Sequence, residues 1–463
     1  MRKYAAIVTL ALSMTPAGCA PGATQRALMQ GTVPFVAAPT DLGAHKHIKH
    51  VVVVIQENRS FENFFAGYPG ADAPMYGCEA PQDRQAASAQ GGSAPDTGCP
   101  AGDRTVALHQ DTFANAPNLG HSFESAIIDW HKGKMDGFGP FNTNAYAYTE
   151  RSQLAPYWSM ARQYVLADHM FPTEFGPSWT AHLTLVAGTD NLNPELALAD
   201  FADGESNCKA PPGRKTTTVD ENRVVRHDSG PYPCLDQFKT MAQLLDAAGI
   251  TWRYYAAAQL KAFIWSPFAS MKYVYHGPDW TEKIVVPQTQ ILRDIAQGKL
   301  ASVSWVTPNK HDSDHPAARS DTGPSWVTAV VNAIGASRYW SSTVIVILWD
   351  DWGGFYDNVS PPQLDFRGLG VRVPCLIVSP YAKEGAVIHT QYEYGSILRF
   401  IRDVFVLPPL GPTADGYTDT RANNMFDSFD FAQPPRPFKK IASKYPEAYF
   451  LHEVSSGEPI DDE

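Results

Sequence analysis

The chain has 463 residues, 44% of them apolar and 12% aromatic, which suits a large buried core and excludes disordered, collagen-like and coiled-coil classes. Lys and Arg number 37 against 48 Asp and Glu, a net charge of −11, and no basic cluster is present to grip a phosphate backbone. Nucleic acid is therefore set aside as a partner. No apolar run reaches the roughly 20 residues of a membrane span, so no transmembrane segment is expected.

Arg2 and Lys3 precede the apolar stretch Tyr4–Leu12 and the small-residue segment Met14-Thr15-Pro16-Ala17-Gly18-Cys19-Ala20. This is the layout of a signal peptide over residues 1–20. It implies an exported chain that is periplasmic, secreted or an outer-membrane lipoprotein. Cys19 stands where a lipoprotein is acylated, but Pro16 occupies the place usually held by Leu. Lipid anchoring at Cys19 and plain cleavage both stay open. In an oxidising compartment Cys78 with Cys99, and Cys208 with Cys234, are expected as two disulfides stapling polar loops. Cys375 lies in an apolar run and is expected as a buried free thiol.

Val51–Ile55 is a continuous β-branched run, as are Thr343–Trp349 and Val373–Val378, with Val303–Val306 a shorter fourth. Runs of this kind suit the strands of a parallel sheet covered on both faces. Helical patterns cover Gln237–Ala248, Thr289–Gly298, Trp326–Ile334 and Ser396–Phe405. The alternation predicts an α/β fold with a mostly parallel central sheet and helices on both faces. Residues 45–463 read as one catalytic domain with insertions near 66–110 and 200–235. His45, His47 and His50 fall before the first strand and read as a solvated linker, and the tail from about Pro408 as a surface wrap.

In such sheets ligands bind beyond the carboxyl ends of the strands. The first run ends in Gln56-Glu57-Asn58-Arg59-Ser60 and the second in Asp350-Asp351-Trp352-Gly353-Gly354. Glu57, Asp350 and Asp351 cannot all stay ionised together at low dielectric without a cation. Their oxygens and the Asn58 amide suit one divalent ion, Ca²⁺, Mg²⁺, Mn²⁺ or Zn²⁺. Adjacent strand residues point to opposite faces, so sharing an ion requires that the strand has already turned. Capping of the following helices is the plainer use of one such end, but two ends with paired polar residues favour the metal. His121 and His315 stand in loops and suit acid, base or phosphate-donor roles. Ser178, in Glu174-Phe175-Gly176-Pro177-Ser178-Trp179-Thr180-Ala181-His182, is placed in the first turn of a helix. There the dipole favours an alkoxide and binds anions, although an ordinary N-cap role would also explain it. A nucleophile elbow, a zinc-protease motif, a Walker loop and a dinucleotide fingerprint are all absent.

Lys49-His50-Val51 through Glu62, Met135–Phe138, Gly176–Ser178, Ser304–Val306, Ser313–Pro316, Trp349–Asp357, Arg372–Pro374 and Ser379–Ala382 keep one order along the chain. Together they resemble the bacterial phosphoesterase family of non-haemolytic phospholipases C and respiratory-burst-inhibiting acid phosphatases. The resemblance implies a core like alkaline phosphatase and the sulfatases, and a metal-dependent hydrolase of phosphate esters. It implies Glu57, Asn58, Asp350 and Asp351 as metal ligands, with Ser178 as nucleophile and further ligand. It also implies His121 and His315 as contacts to phosphate or leaving group. His276 matches loosely as a third such contact. Phospholipase members usually carry Thr at the place of Ser178 and Glu at that of Asp351. They also often have Asp-His-Val where this chain reads Asp357-Asn358-Val359. The Ser and the Asp pair lean towards phosphomonoesters, with phospholipase C action on choline-type lipids as the alternative. An exported metal- or phosphate-binding protein without catalysis is the rival from another class.

Overall fold

The structure, a computed structural model, describes residues 43–81, 99–139, 143–201, 207–257 and 264–453. The expected signal peptide, Cys19 and part of the first insertion lie outside these residues. Nine strands form the principal sheet: β1 (His50–Gln56), β2 (Val165–Phe171), β3 (Trp252–Tyr255), β4 (Ile284–Val285), β5 (Val303–Val306), β6 (Thr343–Trp349), β7 (Val373–Val378), β8 (Val387–Ile388) and β9 (Tyr392–Glu393). Their order is β4-β3-β5-β1-β6-β7-β2-β8, with β9 also paired to β2. The β4/β3, β3/β5, β5/β1, β1/β6, β2/β8 and β2/β9 pairs are parallel. The fold is α/β with a mostly parallel sheet, as expected.

One strand departs from the expectation. β7 runs antiparallel to both β6 and β2. Every residue of β6 and β7 is buried, and all of β1 but its first. Since strand side chains alternate between faces, both faces of the sheet centre are covered. Two-sided burial, and not strand direction, produces the continuous apolar run, so the run alone does not reveal that β7 is reversed. Two reversals make β2 parallel to β1, β5 and β6. The carboxyl ends of these four strands therefore share one edge.

The helices used below are α1 (Phe61–Phe65), α2 (Phe123–Trp130), α3 (Ala155–Gln163), α4 (Ser178–Ala187), α5 (Met241–Ala247), α6 (Gln290–Ala296), α7 (Gly323–Gly335), α8 (Tyr394–Phe405) and α9 (Glu447–His452). In α8 the buried residues Ile397, Phe400, Ile401 and Val404 follow the i, i+3, i+4, i+7 stripe of a core-facing helix. α6, α7 and α8 fall within three residues of the patterns read from sequence, and α5 begins four residues later than its pattern. Small antiparallel pairs, Tyr76–Glu79 with Arg104–Ala107 and Thr217–Asp220 with Leu196–Asp200, add structure to stretches read as loops. Both expected disulfides are present, Cys78–Cys99 and Cys208–Cys234, and Cys375 is a buried thiol. Among the described residues no helix is long and apolar enough to cross a membrane.

The solvated linker of histidines is a correction. His47 packs its ring 5.1 Å from Tyr381 and 5.7 Å from Phe431. His50 opens β1, stacks edge-on against Tyr339 and bonds through Nδ1 to Ala301 O at 2.9 Å. Burial holds its pKa below the usual histidine range. The segment is a half-buried lead-in to the sheet because its rings fill gaps between the strand starts and the C-terminal tail.

Candidate active site

Four loops meet at the shared edge. β1 ends at Gln56, and Asn58 adopts a left-handed backbone with φ 57°, a conformation that Asn tolerates better than most residues. This is the turn that sharing an ion demands. It lets the Asn58 N–H donate to Asp350 Oδ1 at 2.8 Å, and the Arg59 N–H donates to Asp351 O at 2.9 Å. After β6, Gly353 and Gly354 are both left-handed, φ 61° and 73°. A Cβ on Gly353 would lie 2.2 Å from Asn58 O, so the two loops interlock only with glycine there. The Gly353 N–H holds Asp351 by donating to Oδ1 at 2.7 Å.

Ser178 is the first residue of α4, after Pro177, which fixes the entry angle. Its hydroxyl donates to Asp351 Oδ2 at 3.2 Å, and Asn58 Nδ2 donates to Ser178 Oγ at 3.5 Å. One turn further along α4, His182 Nε2 is 3.0 Å from Glu57 Oε1 and 3.8 Å from Asp350 Oδ2. Burial pushes this imidazole down to about 4, against the pull of Asp350. Neutral His182, Glu57 and Asp350 place their donor atoms within 4.8 Å of one another, all buried.

The donor set fits a divalent cation. Asp350 Oδ2 and Asn58 Oδ1 are buried without hydrogen-bond partners, an arrangement that costs free energy unless a ligand satisfies it. The described residues thus contain a group able to hold a metal. The structure brings Glu57, Asn58, Ser178, Asp350 and Asp351 together and adds His182, which the sequence reading quoted but did not select. A signal was present: Ser178 and His182 stand four apart in a segment already read as helical, hence on one face.

His121 precedes α2, whose N-cap is Ser122. Its Nδ1 lies 2.6 Å from Leu119 O, which can only accept, so Nδ1 carries a proton. In the neutral ring Nε2 then accepts from Asn58 Nδ2 at 2.8 Å. His315 has the opposite arrangement. Its Nδ1 accepts from the Ala317 N–H at 3.0 Å, which puts the ring proton on Nε2. The two rings lie 6.4 Å apart, and Trp265 packs 6.0 Å from His315. His276 sits elsewhere. It is exposed and lines a cavity with Thr251, Trp252 and Ala301, at the amino-terminal ends of β3 and β5, on the opposite edge of the sheet. The loose motif match placed it in the right stretch of chain but at the wrong edge for phosphate contact.

Behind the site, Arg372 is fully buried and binds Asp357 at 3.0 Å, Asp168 O at 2.8 Å and Asn358 Oδ1 at 2.8 Å. It ties the loop after β6 to β2 and β7, joining two of the quoted blocks through Asp357 and Arg372. Arg59, equally buried, donates to Asp314 O at 2.9 Å and so joins the β1 loop to the loop of His315.

The model of the family described as Phosphoesterase family matches residues 48–408. The chain belongs to this family. Among its relatives, the non-hemolytic phospholipase C of Pseudomonas aeruginosa is 26% identical over 445 residues, covering 86% of this chain and 60% of that protein. Phospholipase C A of Mycobacterium tuberculosis is 25% identical over 450 residues, covering 84% of this chain and 78% of its own length. A solved protein of the alkaline phosphatase superfamily from Vibrio parahaemolyticus is similar with a TM-score of 0.35 and 14% identity, covering 69% of this chain and 70% of that one. The chain therefore spans three fifths of the Pseudomonas relative's length. Family and relatives agree with a phosphate-ester hydrolase and do not separate acid phosphatase from phospholipase C.

Proposed function

We propose that this chain hydrolyses phosphate esters with Ser178 as nucleophile, and that phosphomonoesters are its preferred class. The observation that carries the reading is the Ser178 hydroxyl at the first turn of α4, between Asp351 Oδ2 and Asn58 Nδ2. Glu57, Asn58, Ser178, His182, Asp350 and Asp351 would hold one divalent ion. When bound, that ion supplies the positive charge that lets several carboxylates and a phosphate share a buried space.

The chain's own groups then divide the work. Asp351 takes the Ser178 proton along the hydrogen bond already formed, and the helix dipole favours the resulting alkoxide. The alkoxide attacks phosphorus in line and forms a phosphoserine ester. Asn58 Nδ2 holds a non-bridging oxygen, and His121 joins it once its Nε2 carries a proton. His315 Nε2–H would donate a hydrogen bond to the leaving oxygen, which takes up the proton first accepted by Asp351. Water afterwards cleaves the phosphoserine ester and regenerates the hydroxyl.

The second reading, phospholipase C, is supported by the named activities of the relatives. The departures at Ser178 and Asp351 support the monoester. Export is part of the proposal, supported by two disulfides of the kind found in oxidising compartments. The test is turnover of p-nitrophenyl phosphate, bis-p-nitrophenyl phosphate and phosphatidylcholine by the purified chain and by Ser178→Ala. Monoester turnover lost in the variant is expected. Faster turnover of phosphatidylcholine would replace the monoester by the phospholipase reading. A folded, metal-loaded chain that turns over none of the three leaves a binding protein as the reading to adopt.

A further inference from the structure

We propose that His311, Asp312 and Glu453 form a divalent-metal site of the zinc type, separate from the active site, that fastens the C-terminal segment to the loop carrying His315. His311 Nδ1 lies 3.6 Å from Asp312 Oδ1 and 3.6 Å from Glu453 Oε1. These gaps are too long for hydrogen bonds. They are close to the separation of about 3.3–3.5 Å between neighbouring ligands of a tetrahedral zinc with bonds of about 2.0–2.2 Å.

Two further observations point the same way. Asp312 is fully buried, and its Oδ1, the oxygen turned to His311, has no hydrogen-bond partner. A bare buried carboxylate oxygen is costly unless a cation meets it. The remaining oxygens are held from behind by one side chain. Asn309 Nδ2 donates to Asp312 Oδ2 at 3.1 Å and lies 3.5 Å from Glu453 Oε2. An outer group that holds the far oxygens and leaves the near ones converging is the usual support of a metal site. Thr322 Oγ1, which donates to His311 O at 2.7 Å, lies 3.3 Å from Nδ1 and accepts from it while that nitrogen carries a proton, the proton an ion would displace. One histidine and two carboxylates suit zinc better than the all-oxygen sets that calcium and magnesium prefer.

The site lies at a useful place. Asp312 closes the turn three residues before His315, and Gln56, the residue before Glu57, donates to Asp312 O at 3.0 Å. Glu453 follows directly on α9. An ion here would hold the tail, the His315 loop and the end of β1 as one unit.

Zinc bound per chain, measured by mass spectrometry after dialysis of the full-length protein against dilute Zn²⁺, tests the proposal. The native chain is expected to hold two ions, Asp350→Asn one, and His311→Ala or Glu453→Gln one. The double variant Asp350→Asn/Glu453→Gln is expected to hold none. Zinc should also raise the Tm of Asp350→Asn and leave that of the double variant unchanged. Glu453 is only half-buried, so Glu453→Gln keeps the test decisive if His311→Ala fails to fold. Equal zinc content in the native chain, His311→Ala and Glu453→Gln would overturn the proposal and leave a protonated His311 paired with two acids. Failure of the active-site metal reading gives a different pattern: one ion, kept by Asp350→Asn and lost by Glu453→Gln.

Discussion

Replacing Arg59 by Met tests whether the ligand loops act as one unit. Arg59 donates from its backbone to Asp351 O, from Nε to Asp314 O at 2.9 Å and from a terminal nitrogen to Asn63 Oδ1 at 3.2 Å. Its guanidinium lies 5.0–5.5 Å from the ring centres of Phe355, Phe113 and Phe64, and burial pulls its pKa down to about 10. Met retains length and apolar contact but loses two hydrogen bonds from a charged donor, about 1.5–3 kcal/mol each. Relief of the buried charge offsets part of this, leaving a net loss of about 3 kcal/mol. At about 2.1 cal/mol/K per residue, a chain of this length has an unfolding entropy near 1 kcal/mol/K, so Tm falls by about 3 °C. Kinetics should respond more strongly. Asp314 stands at φ 68°, and releasing its carbonyl frees the loop of His315. A shift of about 1 Å at a catalytic group costs on the order of 100-fold in kcat. Thermal unfolding and kcat on p-nitrophenyl phosphate are to be measured together, with Arg59→Lys expected to recover part of both. An unchanged kcat for Arg59→Met well below its Tm would show that the loops keep their places without Arg59.

Gly353→Ala forces a Cβ onto Asn58 O and should lower kcat on the order of 100-fold while circular dichroism stays native. Burial pushes Asp314 up to about 7, against the hydrogen bond from Tyr157 and the charge of Arg59. Its folded pKa is thus raised above the unfolded value of about 3.9. The stability it contributes is present below pH 4 and is lost as pH rises through 7. Asp314→Asn removes this titration, so chemical denaturation of the variant should fall less steeply between pH 4 and 7; an identical slope would rule the group out. The Cys78→Ser/Cys99→Ser double variant opens a loop of sequence separation 21 and should lose about 3 kcal/mol in denaturant unfolding.

Much of the active-site edge was legible because its signals are local. A buried strand must be apolar throughout, so β1, β5, β6 and β7 are visible as apolar runs, and the polar residues at the ends of β1 and β6 mark the loops proposed to hold the metal. The direction of β7 was hidden because burial on both faces looks alike in either direction. β2 lacks a continuous apolar run because Asp168 and His169 interrupt it, the Asp168 carboxylate accepting from the Asp72 N–H at 2.9 Å and pairing with His389. His182 is not marked by the polar strand ends and comes into view only when the face of α4 is followed one turn down from Ser178. His276 was misplaced because distance along the chain does not tell which edge of a sheet a loop reaches. His47 reads as solvated in the sequence because its partners, Tyr381 and Phe431, come more than 300 residues later.

The most direct measurement is acid quenching of the enzyme during turnover of p-nitrophenyl phosphate, followed by mass spectrometry of the peptide containing Ser178. A phosphoryl group on Ser178, absent from the Ser178→Ala chain and from unreacted protein, is the predicted result. Sustained turnover with an unmodified Ser178 peptide, or full activity in Ser178→Ala, would contradict nucleophilic catalysis by this residue and assign the attack to water.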